Sequence, residues 1–234
     1  MSTRTRIDPN EVVAKSVSVR SLREAWGLII RQPAPRIIAV GLAVAIALRF
    51  SIGTWSWRDA IIVANVLAIS PFTEWLIHRF FLHLRPIPWR GKRVEMSSAR
   101  RHRHHHQSPG LLREVLLKPV EISVFMPMIL VTMVLVVLPV HLIFGGPFLP
   151  VWLTATVVSY VLLGLYEWTH LLIHTQYVPK SAIYKSCYRS HRLHHFRNEN
   201  YWLGVTTNLA DRVLRTNPGK DEVPVSPTAT NLAA

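Results

Sequence analysis

The sequence predicts an all-α integral membrane protein, with four transmembrane helices in two hairpins and a cytoplasmic helical cap holding a histidine-rich dimetal site. Three observations lead there. Half of the 234 residues are hydrophobic, and they gather in four long runs rather than at the regular spacing of a soluble domain. Lys and Arg gather outside the links between paired runs. Ten of the twelve histidines fall into four tight groups.

Residues 1–36 read as a cytoplasmic N-terminal segment, polar and loose over its first 15 residues. Ser21-Leu22-Arg23-Glu24 is a capping box. Leu22, Ala25, Trp26, Ile29 and Ile30 follow at helical spacing, with Arg20, Arg23 and Arg31 beside them. That pattern predicts an interfacial helix lying on the membrane, ended by Pro33 and Pro35.

Residues 37–216 form the membrane domain. Its apolar runs are Ile37 to Gly53, Ala60 to Ile77, Ile122 to Phe144 and Val151 to Ile173. The first contains Arg49 and is barely long enough. Pro71, Pro127 and Pro139 are tolerated inside spans if neighbouring groups cover the freed carbonyls. The short links Ser51–Asp59 and Pro139–Pro150 make two hairpins. Residues 1–36 carry seven Lys/Arg, 81–119 nine and 175–234 eight, against Arg58 alone in the two links. By the positive-inside bias, both termini and the central loop are cytoplasmic. An even number of spans follows, which retains the marginal first run.

Ser108-Pro109 reads as the start of a short surface helix, Leu111 to Lys118. Tyr201 to Val205 reads as an interfacial turn, and Asp211 heads another short helix. Residues 217–234, rich in Pro, Thr and Asn, read as a disordered tail.

The formal net charge of +14 would suit nucleic acid, but no nucleic-acid motif accompanies it, and the spans account for the basic loops. The single cysteine, Cys187, excludes an internal disulfide and a thiolate cluster. No signal peptide opens the chain.

The histidines explain the lengths. A helix from Ala60 to His83, or from Val151 to His174, runs roughly 36 Å against a hydrocarbon core of about 30 Å. Their last turns, with His78/His83 and His170/His174, therefore rise out of the membrane on the cytoplasmic side. The triplets His102/His105/His106 and His191/His194/His195 lie in the cytoplasmic segments that follow. Residues at i, i+3 and i+4 lie within about 100° of one another on a helix, so each triplet presents its imidazoles to one side. His78 and His83 are five apart, about 140° round an α-helix. They serve different metals or sit where the helix unwinds. His104 and His141 fall outside the set.

Ten neutral imidazoles supply roughly five to each of two metals, leaving room for a small exogenous ligand. That suits a pair of irons using O2; zinc could substitute without the redox chemistry. Glu167, on the face of His170 and His174, is the candidate catalytic carboxylate, placed to hold a ligand's second N–H. Glu74, four residues before His78, is a weaker candidate.

The order His-x4-His, His-x2-His-His, His-x3-His, His-x2-His-His resembles the fatty acid hydroxylase superfamily of membrane di-iron enzymes. The resemblance covers residues 60 to 216 and includes Gly204 to Arg212, similar to the family's glycine-to-aspartate stretch. The 18 residues from Leu84 to Arg101 are similar to the gap in its fatty acid 2-hydroxylases. Sterol desaturases and carotene hydroxylases share the boxes at other spacings. The resemblance implies O2-dependent insertion of one oxygen into a C–H bond of a membrane lipid, most simply a fatty-acyl chain. A fused cytochrome b5 domain would not fit in the N-terminal region, so electrons would come from a separate donor, a ferredoxin or a cytochrome b5 type with its reductase. A membrane metal transporter or sensor is the rival class. It would need ionisable groups at mid-bilayer, and Val131–Val137 and Val157–Leu163 offer almost none.

Overall fold

The computed structural model describes residues 19–232, so the stretch expected to be loose at residues 1–15 lies outside them. Helix α1 (Leu22–Ile29) starts at Ser21, whose Oγ accepts from Glu24 N while Glu24 Oε2 accepts from Ser21 N, the expected capping box. Its apolar stripe is divided. Ala25, Leu28 and Ile29 are buried, while Leu22, Trp26 and Ile30 face outward.

Helix α2 (Pro33–Ile52) begins on Pro33, where a missing N–H costs nothing, and stops at Gly53 with φ 69°. Helix α3 (Trp57–Leu76) continues into a π-turn, Ile77–Leu82. Pro71 deprives the Leu67 carbonyl of its helical donor, and Ser70 Oγ donates to it at 3.1 Å. A hairpin of β1 (Ile87–Trp89) and β2 (Lys92–Val94) then leads to α4 (Ser97–Gln107). The expected helix from Leu111 to Lys118 contracts to α5 (Leu112–Val115). Helix α6 (Pro119–Phe144) and helix α7 (Phe148–Ile173) make the second hairpin. The cap is closed by α8 (Ala182–Phe196) and α9 (Leu209–Val213).

Four helical stretches are therefore long and apolar enough to cross a membrane, linked as two hairpins. Helix α7 is the hub: 44% of its most apolar stretch is buried, against 17% in each of the others. It packs on α2, α3 and α6. Outward-facing Val40, Phe50, Val131, Leu135 and Leu142 make a surface that suits lipid rather than water.

Arg49 is not a defect in the first span. It is 2% exposed, donates to Thr154 Oγ1 at 2.7 Å, Asp59 Oδ1 at 2.9 Å and the Thr54 carbonyl at 2.9 Å, and lies over the Trp55 ring. A charge inside a span is expected to be paired in this way.

The C-terminal segment departs from expectation. Residues 217–232 include a turn of 3-10 helix at Lys220–Glu222 and bury Val223, Ala229 and Leu232 against the cap. Composition suggested disorder; the segment is held instead by its backbone carbonyls together with these few buried side chains, and composition does not encode the carbonyl contacts.

Candidate metal centre

All ten candidate histidines converge at one end of the bundle. They form two groups of five, His78, His83, His102, His106 and His194 in the first pocket and His105, His170, His174, His191 and His195 in the second. One ring nitrogen of each residue lies within 4.8 Å of the others in its group. The pockets touch: the His106 and His195 rings have centroids 4.1 Å apart.

The helices divide their triplets between the pockets. Helix α4 sends its i, i+4 pair His102 and His106 to the first pocket and His105 to the second. Helix α8 does the reverse, sending His194 to the first and His191 with His195 to the second. Residues four apart stack on one row of a helix, and the third ring turns away from that row. The expectation that each triplet serves as a single facing set is thus refined: each helix stands between the pockets and serves both. His170 and His174 come together from the end of α7. His78 and His83 meet because the helix widens into the π-turn, whose i→i+5 pattern stacks residues five apart. Of the two alternatives left open by their spacing, the local change of helix is the one found.

Hydrogen bonds fix the protons in the first pocket. His78 Nδ1 lies 2.5 Å from the Leu203 carbonyl, His106 Nδ1 2.7 Å from that of Ala229, and His194 Nδ1 2.9 Å from that of Tyr201. A carbonyl only accepts, so each Nδ1 carries hydrogen and each neutral ring aims a bare Nε2 lone pair inward. Yet His194 Nε2 and His106 Nε2 stand 3.2 Å apart, and His102 Nε2 lies 3.2 Å from His106 Nε2 and 3.1 Å from His78 Nε2. At least the His194–His106 contact has no proton to share. Protonating the rings does not relieve it, because burial holds His194 well below its ordinary pKa and lowers His106 to about 3. A cation does relieve it. Nitrogens at right angles around a metal about 2.1 Å away stand about 3 Å apart, close to the spacings found.

The second pocket makes the same case through unsatisfied atoms. His195 Nε2 and His191 Nε2 are 3.0 Å apart. Both nitrogens of His105, Nε2 of His170 and His174, and Nδ1 of His191 and His195 are buried without a hydrogen-bond partner. Burial pushes His105, His191 and His195 well below the ordinary imidazole pKa, which keeps them neutral and able to bind metal. Buried polar atoms left unpaired each cost about 1–3 kcal/mol, so the ten residues present fit two metal ions.

Neither carboxylate holds a ligand's second N–H; each fastens backbone instead. Glu167 bonds no imidazole. It is 1% exposed and accepts from Leu117 N at 3.2 Å, fixing the chain as it enters α6. Three residues before His170, it lies nearly a full turn deeper, level with that crossing strand. Glu74 instead reaches the site's edge: it accepts from Val205 N, from Thr206 N at 3.0 Å and from Thr206 Oγ1 at 2.5 Å.

Asp211 grips the same loop, accepting from Leu203 N at 2.9 Å, Gly204 N at 2.6 Å and Thr216 Oγ1 at 2.6 Å. A Cβ on Gly204 would meet the Thr207 carbonyl at 2.1 Å, so the loop closes only with glycine there. Two carboxylates thus hold the loop whose Leu203 carbonyl orients His78. Trp202, in the stretch expected as an interfacial turn, is buried and donates to the Pro218 carbonyl at 3.1 Å. Cys187 donates to the Thr206 carbonyl at 3.4 Å and stays a thiol, its pKa pushed up by burial to about 11. His104 is exposed, and neither it nor His141 joins a pocket.

A helical membrane bundle capped by two five-histidine pockets defines a membrane metalloprotein of the histidine-box class. The fatty acid hydroxylase family profile matches residues 63–216, and the chain belongs to that family. Human fatty acid 2-hydroxylase is 27% identical over 169 residues, a stretch that is 71% of this chain and 38% of that protein. The chain therefore spans well under half the length of that relative. Among solved structures, full-length scs7p, of which only the hydroxylase domain is visible, overlays with a TM-score of 0.59 at 16% identity, covering 92% of this chain and 72% of that one. At that identity the likeness speaks for the fold.

Proposed function

We propose that the protein is an O2-dependent di-iron hydroxylase acting on a membrane lipid, most simply a fatty-acyl chain. The observation that carries this reading is the pair of adjoining five-imidazole pockets, each supplying fewer than the six ligands of an octahedral ion. Bound there, two irons would supply the redox chemistry that O2 needs to oxidise a C–H bond, with electrons from a separate carrier such as a ferredoxin or a cytochrome b5 type. The residues themselves supply the rest. His78, His106 and His194 hold their lone pairs inward through backbone carbonyls, and the buried cap keeps bulk water from the ring nitrogens. A small cleft lined by Leu82, Leu117 and Tyr166 together with Arg101, Glu114 and Glu121 reaches His102, His105 and His170, and so touches both pockets. The charge bias of the loops supports a cytoplasmic site and cytoplasmic termini.

Expression with a compatible reductase under ¹⁸O2 tests the reading. A membrane lipid should gain a single labelled hydroxyl. An unlabelled hydroxyl, with exchange excluded, would point to hydration instead. Loss of two hydrogens without added oxygen would make the protein a desaturase on the same metal site.

A further inference from the structure

We propose that residues 217–232, which lie beyond the stretch matched by the family profile, form a strap that completes the first histidine pocket and sets its affinity for metal; this rests on the dimetal reading above. Beyond the Trp202–Pro218 contact at its start, the strap is latched at two places. At the end of α8, Arg197 Nε donates to the Val223 carbonyl at 2.8 Å, Ser226 N donates to the Arg197 carbonyl at 2.7 Å, and Thr228 Oγ1 donates to Glu199 Oε1 at 2.5 Å. On α4, Arg103 Nη1 donates to the Leu232 carbonyl at 3.0 Å and His106 Nδ1 to the Ala229 carbonyl at 2.7 Å. Val223, Ala229 and Leu232 are each buried.

Only one of these contacts reaches a candidate ligand, and it reaches only the first pocket. The Ala229 carbonyl takes the Nδ1 proton of His106, which leaves Nε2 bare and fixes the plane of the ring. Without it, the proton can move to Nε2 and the ring can turn towards water. Outer partners of this kind are typically worth 10–100-fold in metal affinity. The second pocket has no equivalent contact: none of its five histidines is hydrogen-bonded to residues 217–232 among the described contacts. The strap should therefore act on one metal of the two. His78 and His194 are oriented by Leu203 and Tyr201, inside the family-matched region, so the strap contributes a third orienting carbonyl from outside it.

The test compares the full chain with a chain ending at Ser226, both purified in lipid nanodiscs and titrated with Zn(II) against a competing chelator. The full chain should bind two ions. The shortened chain should keep one at full-chain affinity and bind the other about 10–100-fold more weakly. Adding His106→Ala should weaken the first-pocket ion by a smaller factor in the shortened chain than in the full chain, because the strap acts through that ring, whereas adding His170→Ala should remove the remaining tight ion. Ala229→Glu in the full-length chain, which places a charge at a buried position, should copy the truncation; Thr230→Ala, at an exposed position, should not. Two ions held at unchanged affinity by the shortened chain would overturn the proposal. So would loss of both ions together with a lowered melting temperature, which would make the strap a general structural support. A full-length chain that binds no metal would sink the dimetal reading, and the strap proposal with it.

Discussion

At the turn between α2 and α3, Arg49, Asp59 and Thr154 are buried among themselves, and at the other end of the same bundle ten imidazoles are buried together. The first cluster balances its charges. The guanidinium is spread over Asp59, Thr154, the Thr54 carbonyl and the Trp55 ring, and Asp59 in turn accepts from Ser56 N at 2.8 Å. The second cluster does not. Its rings carry no partner charge, several buried nitrogens bond nothing, and lone pairs face one another. Both clusters cost desolvation, but only the first recovers it from groups of the chain itself. A buried polar cluster whose charges are paired within the chain is a fastening, even with Arg49 Nη1 left unbonded; a cluster left unsaturated, with lone pairs face to face, implies a ligand.

The largest expected effect tests the unsaturated end. His105→Ala, His170→Ala and His194→Ala should each lower bound metal and abolish the proposed hydroxylation. The pocket assignment adds which ion leaves: His194→Ala should empty the first pocket, and His105→Ala or His170→Ala the second. Elemental analysis of the purified variants, alone and in pairs, checks this. Pairs within a pocket should lose one ion, and pairs across pockets two. If His194 and His105 fail to behave as members of different pockets, the division of the triplets is wrong.

The charge-paired end should respond in stability and leave metal content alone. Arg49→Ala leaves the Asp59 carboxylate buried without its cation, a loss of about 3–5 kcal/mol. Replacing both partners, as Arg49→Leu with Asp59→Leu, removes the unpaired charge and should recover most of that loss. Thermal unfolding in nanodiscs measures the ranking, and metal per folded chain should stay at the wild-type value throughout. An Arg49→Ala protein that folded normally but lost metal would tie this end to the site and break the contrast.

The contrast also separates what the sequence discloses from what it hides. The four spans, the hairpins and the ten ligand candidates are legible because each rests on side chains in a pattern: apolar length, loop charge, imidazole spacing. Arg49 looked like a flaw in a marginal span because its partners lie outside that span: Thr54 and Trp55 in the link, Asp59 at the start of α3 and Thr154 on α7. Glu167 was misplaced for a related reason. Its spacing from His170 is right for a shared face, but the backbone of Leu117 crosses at its level and takes the carboxylate. The carbonyls of Tyr201, Leu203 and Ala229, which orient three rings, left no trace in the sequence, since every residue type carries that group. The order of the tail was hidden in the same way. The π-turn had a faint signal: a five-residue interval that an α-helix cannot bring to one face.

The smallest expected effect is His104→Ala, set beside His105→Ala. The two residues are adjacent in the densest histidine run of the chain, so composition alone treats them alike. On α4 they point apart. His105 is 1% exposed with both ring nitrogens unpartnered, and its ring centroid lies 4.5 Å from that of His174 and 4.6 Å from that of His195. His104 is exposed, so its ring can bond water and gains nothing from an ion. Its removal should leave metal content and turnover at the wild-type level, with a stability change within about 0.5 kcal/mol, as is usual for surface substitutions. The measurement is metal per chain for both variants prepared side by side. Should His104→Ala lose as much as His105→Ala, imidazole density rather than geometry would be holding the ions, and the rule that an unsaturated buried cluster marks the ligand site would fail where it is most easily checked.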